Sequence, residues 1–245
     1  MGPFAYSTGY KGINYTEIGR INMISVAIDG PAGAGKSTIA RAAAAQLGFI
    51  YVDTGALYRS IGLFAVQKKI DFAQKNDIIA LLGQIDVELT FVDGEQRVLL
   101  CGEDVSDEIR SPEVSMAASV VSAIPEVRSF LFDLQKDMAK HNNVVMDGRD
   151  IGTVVLPKAQ VKIFLTASPE VRAKRRCLEL EQKGERVSYE DVLADIRQRD
   201  YNDTHREIAP LKQAEDAVLV DTSKLTLEES VQTLTGLIRS RLERE

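Results

Sequence analysis

Ile24-Ser25-Val26-Ala27-Ile28-Asp29 followed by Gly30-Pro31-Ala32-Gly33-Ala34-Gly35-Lys36-Ser37-Thr38 is the stretch that decides the fold. The first six residues form a short apolar run ending in a carboxylate, the composition of a strand buried on both faces. The next eight match G-x-x-x-x-G-K-[ST], and a helix-forming run continues from Lys36 to Leu47. The glycines let the backbone wrap closely round a phosphate with its N–H groups pointing inward. The helix behind them presents its positive end to the same anion. Lys36 can reach the β- and γ-phosphates, and the Ser37 hydroxyl is placed for Mg²⁺. A chance glycine-rich turn would lack the strand before and the helix after. Alone, the motif implies a bound nucleoside triphosphate; it does not separate a kinase from a GTPase or a mechanical ATPase.

Working outward, Phe49–Asp53 reads as a second strand and Thr54–Lys69 as a helix. Strands alternating with helices predict a parallel sheet covered on both faces. The rhythm breaks at Asp86–Val92 and Arg97–Cys101, alternating runs about Asp93-Gly94, which predict a β-hairpin in an insert over 71–111 that projects from the main sheet. Pro112 and Pro125 each mark a helix start. Val144–Asp147, Val161–Ala167 and Ala217–Asp221 read as further strands, with Ser168 and Ser188 capping helices. Residues 1–22 show no period and are expected to be a poorly ordered leader, with Met23 the functional start of a domain running to 245.

The chain has 245 residues, 44% hydrophobic and 27% charged, enough for one large α/β domain. A net charge of −6 argues against broad nucleic-acid binding but not against a few arginines in one cleft. Cys101 and Cys177 share no metal-ligand spacing and are read as thiols of a reducing cytosol. No apolar run has the length of a membrane span and no secretory signal pattern opens the chain, so a cytoplasmic location is expected.

Val144-Val145-Met146-Asp147 is a strand ending in a carboxylate, the shape of the second nucleotide-site element, where Asp147 holds Mg²⁺ directly or through water. Arginines or hydroxyls beside glycines or strand ends recur in Asp53-Thr54-Gly55-Ala56-Leu57-Tyr58-Arg59, at Ser119 and Arg128, in Asp147-Gly148-Arg149-Asp150, and in Arg199–Arg206. Arg199, Asp203 and Arg206 are spaced to share one helix face, as are Arg172, Arg175 and Arg176. A solvated, salt-bridged face is the commoner fate of such charges, and spacing alone leaves both readings open. His141 and His205 read as ordinary surface or helix residues.

From Met23 almost to the C-terminus the chain resembles the bacterial cytidylate kinases, members of the nucleoside monophosphate kinase family. The resemblance rests on IDGPAGAGKST, VDTGALYR, SMAASVVSAIPEVR, MDGRDIGTVV, ASPEVRAKRR, RDYNDTHREIAPL and DAVLVDTS. It implies a P-loop NTPase-type, doubly wound α/β sheet with a five-stranded parallel core, a small β-containing acceptor-binding insert over 71–111 and a helical lid at about 168–190. It implies phosphoryl transfer from ATP, with Mg²⁺, to CMP or dCMP by a monomer without nucleic-acid or membrane partners. The donor site would be residues 30–38. The acceptor site would comprise Thr54, Tyr58, Arg59, Ser119, Arg128, Arg149, Asp150, Arg199, Asp203 and Arg206. Arg59, Arg128 and Arg149 would grip the α-phosphate, Ser119, Arg128 and Asp150 would read the cytosine ring, and Asp203 would take the pentose hydroxyls. Lys36, Arg149, Arg172 and Arg176 would be catalytic, the last two closing from the lid.

Three rivals fit less well. A regulatory GTPase needs a guanine-reading Asn-Lys-x-Asp segment, which is missing. A P-loop kinase acting on a hydroxyl, of the shikimate type, needs a base near the γ-phosphate, whereas the arginine-rich segments suit a phosphorylated acceptor. An RNA-binding or structural protein with a relic loop is disfavoured by the acidic balance.

Overall fold

The computed structural model describes residues 23–92, 95–182 and 184–243. The expected leader at 1–22 and the Asp93-Gly94 turn lie outside them. The main sheet contains β1 (Ser25–Asp29), β2 (Ile50–Asp53), β6 (Val144–Gly148), β7 (Val161–Thr166) and β8 (Val218–Asp221), in the order β2-β6-β1-β7-β8. Every pairing is parallel, so the expected five-stranded doubly wound core is present. Its chemistry explains it. β1 and β6 are central and buried along their whole length, which is why both read as continuous apolar runs rather than alternating ones.

Alternate side chains feed two cores. Ala27, Val52, Val144 and Met146 point to one, beneath α2 (Thr54–Gln67), α4 (Pro112–Val121) and α5 (Pro125–His141). Val26, Ile28, Tyr51 and Val145 point to the other, beneath α1 (Lys36–Leu47) and α8 (Leu227–Leu242). α8 starts in a capping box between Thr226 and Glu229, and α4 and α7 (Tyr189–His205) start on Ser111 and Ser188.

Between α2 and α4 lie α3 (Lys75–Leu81) and a separate antiparallel sheet of β3 (Val87–Val92), β4 (Glu95–Leu100) and β5 (Glu103–Asp104). This insert has its own sheet but does not stand clear of the body. Ile78, Leu81, Val87, Leu89, Val98, Leu100, Val105 and Ile109 continue the core of α2 and α4, because the inward side of the hairpin is apolar at every second residue. By contrast, α6 (Pro169–Gln182) and α7 build a small core of their own from Ala173, Leu180, Val192 and Ile196. That makes them a helical arm with a core separate from those beneath the sheet. Among the described residues no single helix is long and apolar enough to cross a membrane; Glu113–Val121 and Pro125–His141 reach that length only as a pair bent by 97°.

Candidate active site

The register of the sheet brings three carboxylates to one level. Asp147 lies beside Ile28 on one side and Asp53 on the other, and Asp29 pairs with Gly148. All sit at the carboxyl ends of parallel strands, where open α/β sheets bind ligands. Asp29 accepts from the backbone N–H of Ile151 (2.7 Å) and Gly152 (2.8 Å), fixing the π-helical turn Ile151–Val155 that follows β6. Burial pushes its pKa up to about 6. Asp53 caps α2 through Ala56 N (3.0 Å) and pairs with Arg59 (2.7 Å). Burial, the largest single effect, would raise its pKa, but Arg59, the Ala56 N–H and Arg110 together hold it below the usual range. Asp147 accepts from the Tyr51 hydroxyl at 2.8 Å and the Ser37 hydroxyl at 3.1 Å. Burial, then the charge of Asp53, raise its pKa to about 6.

The loop from Gly30 to Ser37 curls between β1 and α1. At Gly30 (φ 151°) a Cβ would sit 1.9 Å from the Leu165 carbonyl oxygen of β7, so only glycine lets the loop leave the strand here. Helix α1 begins after Gly35 in the left-handed region, with no side-chain cap and no acidic residue in its first turn. Its leading N–H groups and dipole are therefore left to an external anion. Lys36 is buried and donates to the Pro31 carbonyl at 2.8 Å, arching over its own loop. Burial, and next the charge of Arg149, lower its pKa to about 7. Ser37 and Thr38 are exposed at the mouth, and Pro31, Ala32 and Ala34 are buried in the loop wall.

Facing the loop are the arginines. Thr54 donates to the Asp147 carbonyl (2.8 Å) and so joins α2 to β6. Arg128 lies over the Tyr58 ring at 5.8 Å and forms a buried ion pair with Asp150, whose other oxygen takes Arg206 at 3.3 Å. Arg149 donates to Asp203 at 2.7 Å and to the Gly148 carbonyl at 3.2 Å. Burial, then the charge of Arg149, press the Arg199 pKa down, with Arg59 and Arg176 adding to the repulsion and Asp203 opposing it. Arg59, Arg149 and Arg176 are thus close enough to Arg199 for their charges to act on it.

Some expected residues sit differently from the sequence reading. Helix α7 ends at His205 and Arg206 is its extended capping residue, so the face expected for Arg199, Asp203 and Arg206 stops one residue early. The chain turns back at Ala209 (φ 49°), whose carbonyl takes Arg206 Nε at 2.7 Å, and that turn sends Arg206 into the cleft towards Asp150. Ser119 is half-buried on α4 and contributes its carbonyl to the Ser122 hydroxyl (3.0 Å); it is Ser122 that meets Arg206 (3.4 Å) and Arg128 (3.4 Å, through its carbonyl). Arg172 is not a free lid cation. It is 2% exposed, pairs with Asp200 of α7, and donates to the carbonyls of Ala32 and Ala167, each at 2.9 Å. It ties the arm to the phosphate loop. Arg175 is held by the Thr222 carbonyl (2.8 Å), and Arg176 carries, among the described residues, only a surface pair with Glu179 (3.2 Å).

Sequence reasoning missed Asp29, Tyr51, Gln96, Ser122 and Asp200. Asp29 alone carried a local signal, being the strand-end carboxylate before the loop. Gln96 of β4 accepts from Asp53 N at 2.9 Å across 43 residues and docks the insert on the strand end.

The chain matches the family profile described as cytidylate kinase over residues 26–240. It is 53% identical over 214 residues to the cytidylate kinase of Caldicellulosiruptor bescii, covering 87% of this chain and 95% of that protein. It is 47% identical over 231 residues to the cytidylate kinase of Lactobacillus johnsonii, covering 94% and 97%. Among solved structures, shikimate kinase from Bacteroides thetaiotaomicron is 16% identical, with a TM-score of 0.46 over 89% of this chain and 99% of that one. With a family match spanning nearly the whole sheet and arm, and relatives about half identical along almost their full length, the chain belongs to the cytidylate kinase family.

Proposed function

We propose that the protein transfers the γ-phosphoryl group of ATP to CMP or dCMP, giving ADP and CDP or dCDP. The observation that carries this reading is the position of Arg149, bonded to Asp203 yet near enough to Lys36 to depress its pKa. One cleft therefore holds both the donor cradle and the acceptor arginines. The acceptor oxygen of a nucleoside monophosphate is already anionic near neutral pH, so no general base is needed. The difficulty is electrostatic, because two polyanions must meet in line. Guanidinium suits it, binding phosphate through two parallel hydrogen bonds while keeping its charge.

The loop amides and Lys36 hold the donor phosphates, Lys36 exchanging the Pro31 carbonyl for phosphate oxygen. Arg59, Arg128 and Arg149 hold the acceptor phosphate. Asp150, Ser122 and Arg206 face the base, and Asp203 the sugar. Arg176 and Arg199 supply charge to the transferring group as α6 and α7 close, while Arg172 keeps the arm registered on the loop. Rate enhancement then comes from positioning and from charge stabilisation in a site closed to water.

Mg²⁺ fits this site. It prefers one or two protein oxygens, with waters and phosphates completing its shell, and Ser37 and Asp147 offer a hydroxyl and a carboxylate oxygen 3.1 Å apart at the loop mouth. When bound, it would neutralise charge on the donor phosphates. We infer further that the enzyme works as a cytoplasmic monomer on small nucleotides, without nucleic acid or membrane; the net charge of −6 argues only against broad nucleic-acid binding.

ADP release with Mg²⁺–ATP and a panel of CMP, dCMP, UMP, AMP and shikimate tests the proposal. CMP and dCMP should lead, and Lys36→Ala should abolish turnover with the fold intact. Wild-type turnover in that variant, or a preference for shikimate, would end the reading.

A further inference from the structure

Asp147 divides its two carboxylate oxygens between two hydroxyls. Oδ2 accepts from Ser37, at the mouth of the loop, and Oδ1 accepts from Tyr51 at 2.8 Å. Tyr51 lies on β2 two residues before Asp53, the register partner of Asp147, so its side chain runs along the neighbouring strand to reach the carboxylate. The ring is 6% exposed and packs in the core beneath α1. Its outer face carries the guanidinium of Arg41, one turn into α1, at 5.4 Å. The Asp147 main chain is fixed separately, by the Thr54 hydroxyl on its carbonyl. Backbone and side chain are thus anchored from two directions, leaving the carboxylate little freedom to rotate.

We propose that Tyr51 is a positioning residue for the metal-facing carboxylate: by occupying Asp147 Oδ1 it turns Oδ2 towards Ser37 and the loop mouth, and Arg41 holds the ring that does so. The inference deepens the proposed function and rests on it, since it concerns the residues that would face Mg²⁺. Partners behind a metal-facing carboxylate orient it and tune its basicity. Tyr51 is suited to the task because its hydroxyl donates to Oδ1 from a ring held in the core beneath α1. Nothing in the transfer itself calls for a phenol here, and phenylalanine would fill the same space.

The test uses the full chain and a non-hydrolysable ATP analogue, titrated calorimetrically with excess Mg²⁺ and again with EDTA. The readout is the factor by which Mg²⁺ tightens nucleotide binding. Tyr51→Phe, confirmed folded by its circular-dichroism melt, should bind as wild type does in EDTA but lose about 10-fold of the Mg²⁺-dependent gain. Asp147→Ala should lose that gain, and adding Tyr51→Phe to it should change nothing more. Arg41→Ala, on the exposed side of the ring, should move the factor in the same direction by less. A wild-type Mg²⁺ factor in Tyr51→Phe, an equal loss of affinity with and without Mg²⁺, or a further fall in the double variant would each overturn the proposal. A wild-type protein that binds no nucleotide in either condition would instead remove the phosphotransferase reading itself.

Discussion

Arg149 donates its Nε–H to Asp203 at 2.7 Å, joining the end of β6 to the end of α7 across 54 residues of sequence. The pair connects the rigid sheet to the helical arm, so losing it should loosen the cleft as well as remove a contact. Burial, the largest single effect, would raise the Asp203 pKa, but Arg149, Arg206 and Arg199 together outweigh it and the net shift is downward. The stabilisation is therefore present above the ordinary carboxylate pKa and lost as pH falls through the lower folded value. Asp203→Ala should cost roughly 1–3 kcal/mol at neutral pH. The gap in melting temperature from wild type should narrow in acid. The KM for CMP should rise about 10–100-fold, the kinetic equivalent of one charge-assisted hydrogen bond. A variant with wild-type KM would take Asp203 out of acceptor binding.

Lys36 makes a proton-linked prediction. Its folded pKa, about 7, lies below the ordinary 10.5 because the ammonium is buried. Between those values the unfolded chain binds the extra proton, so the nucleotide-free protein gains stability as pH rises through that window. Triphosphate bound in the loop supplies the missing counter-charge and restores the proton. Binding at pH 8 should therefore take up protons, measurable as a buffer-dependent enthalpy in calorimetry. Lys36→Met should remove both the uptake and the stability slope. Proton-neutral binding by the wild type would contradict the depressed pKa.

Asp147 should show a conflict between stability and activity. Its pKa is raised to about 6 from 3.8, first by burial and then by Asp53. The folded state holds more protons than the unfolded chain in that interval, so stability falls as pH rises through it and stays lower above. Asp147→Asn removes the buried charge and keeps an acceptor for Tyr51. Without nucleotide at pH 7–8 its melting temperature should rise by about 2–5 °C, while kcat falls by about 10–100-fold. A lower melting point would mean that the carboxylate is held by more than its two hydroxyl donors.

Where chemistry is local, the sequence is legible. Gly30 to Ser37 must be a loop between strand and helix because only that arrangement aims its amides at phosphate, and the order of β1, the loop and α1 follows. Pro112, Pro125, Ser168 and Ser188 announce helix starts for equally local reasons. Arg172 and Arg176 show where legibility ends. Their spacing puts both on one side of a helix and makes them look equivalent. Asp200, from another helix, and the Ala32 carbonyl bury one, while the other stays on the surface. Gln96 and Tyr51 are similar cases: a polar residue in a hairpin and an aromatic in a strand gain their roles from Asp53 and Asp147, 43 and 96 residues away. No local pattern encodes such a partner. The π-helical turn after β6 escaped for the same reason, since Asp29 organises it from the neighbouring strand β1, 122 residues away in sequence.

Asp150 is where base selectivity should be found. Arg128 from α5 and Arg206 from the end of α7 converge on its two oxygens. The guanidiniums orient the carboxylate and leave its remaining lone pairs for the ligand. Cytosine presents an amino donor where uracil presents a carbonyl acceptor, so a fixed carboxylate accepts from the first and repels the second. Asp150→Ala would leave two buried guanidiniums without their counter-charge, with a cost of about 3–5 kcal/mol that obscures specificity. Asp150→Asn is the cleaner variant, since its amide can donate to uracil and still accept from one arginine. Its ratio of kcat/KM for CMP over UMP should fall by at least about 10-fold, equivalent to one unpaired polar group in a closed site. An unchanged ratio, whatever the loss in rate, would place cytosine recognition elsewhere, with Ser122 and the Arg206 guanidinium beside it the next residues to vary.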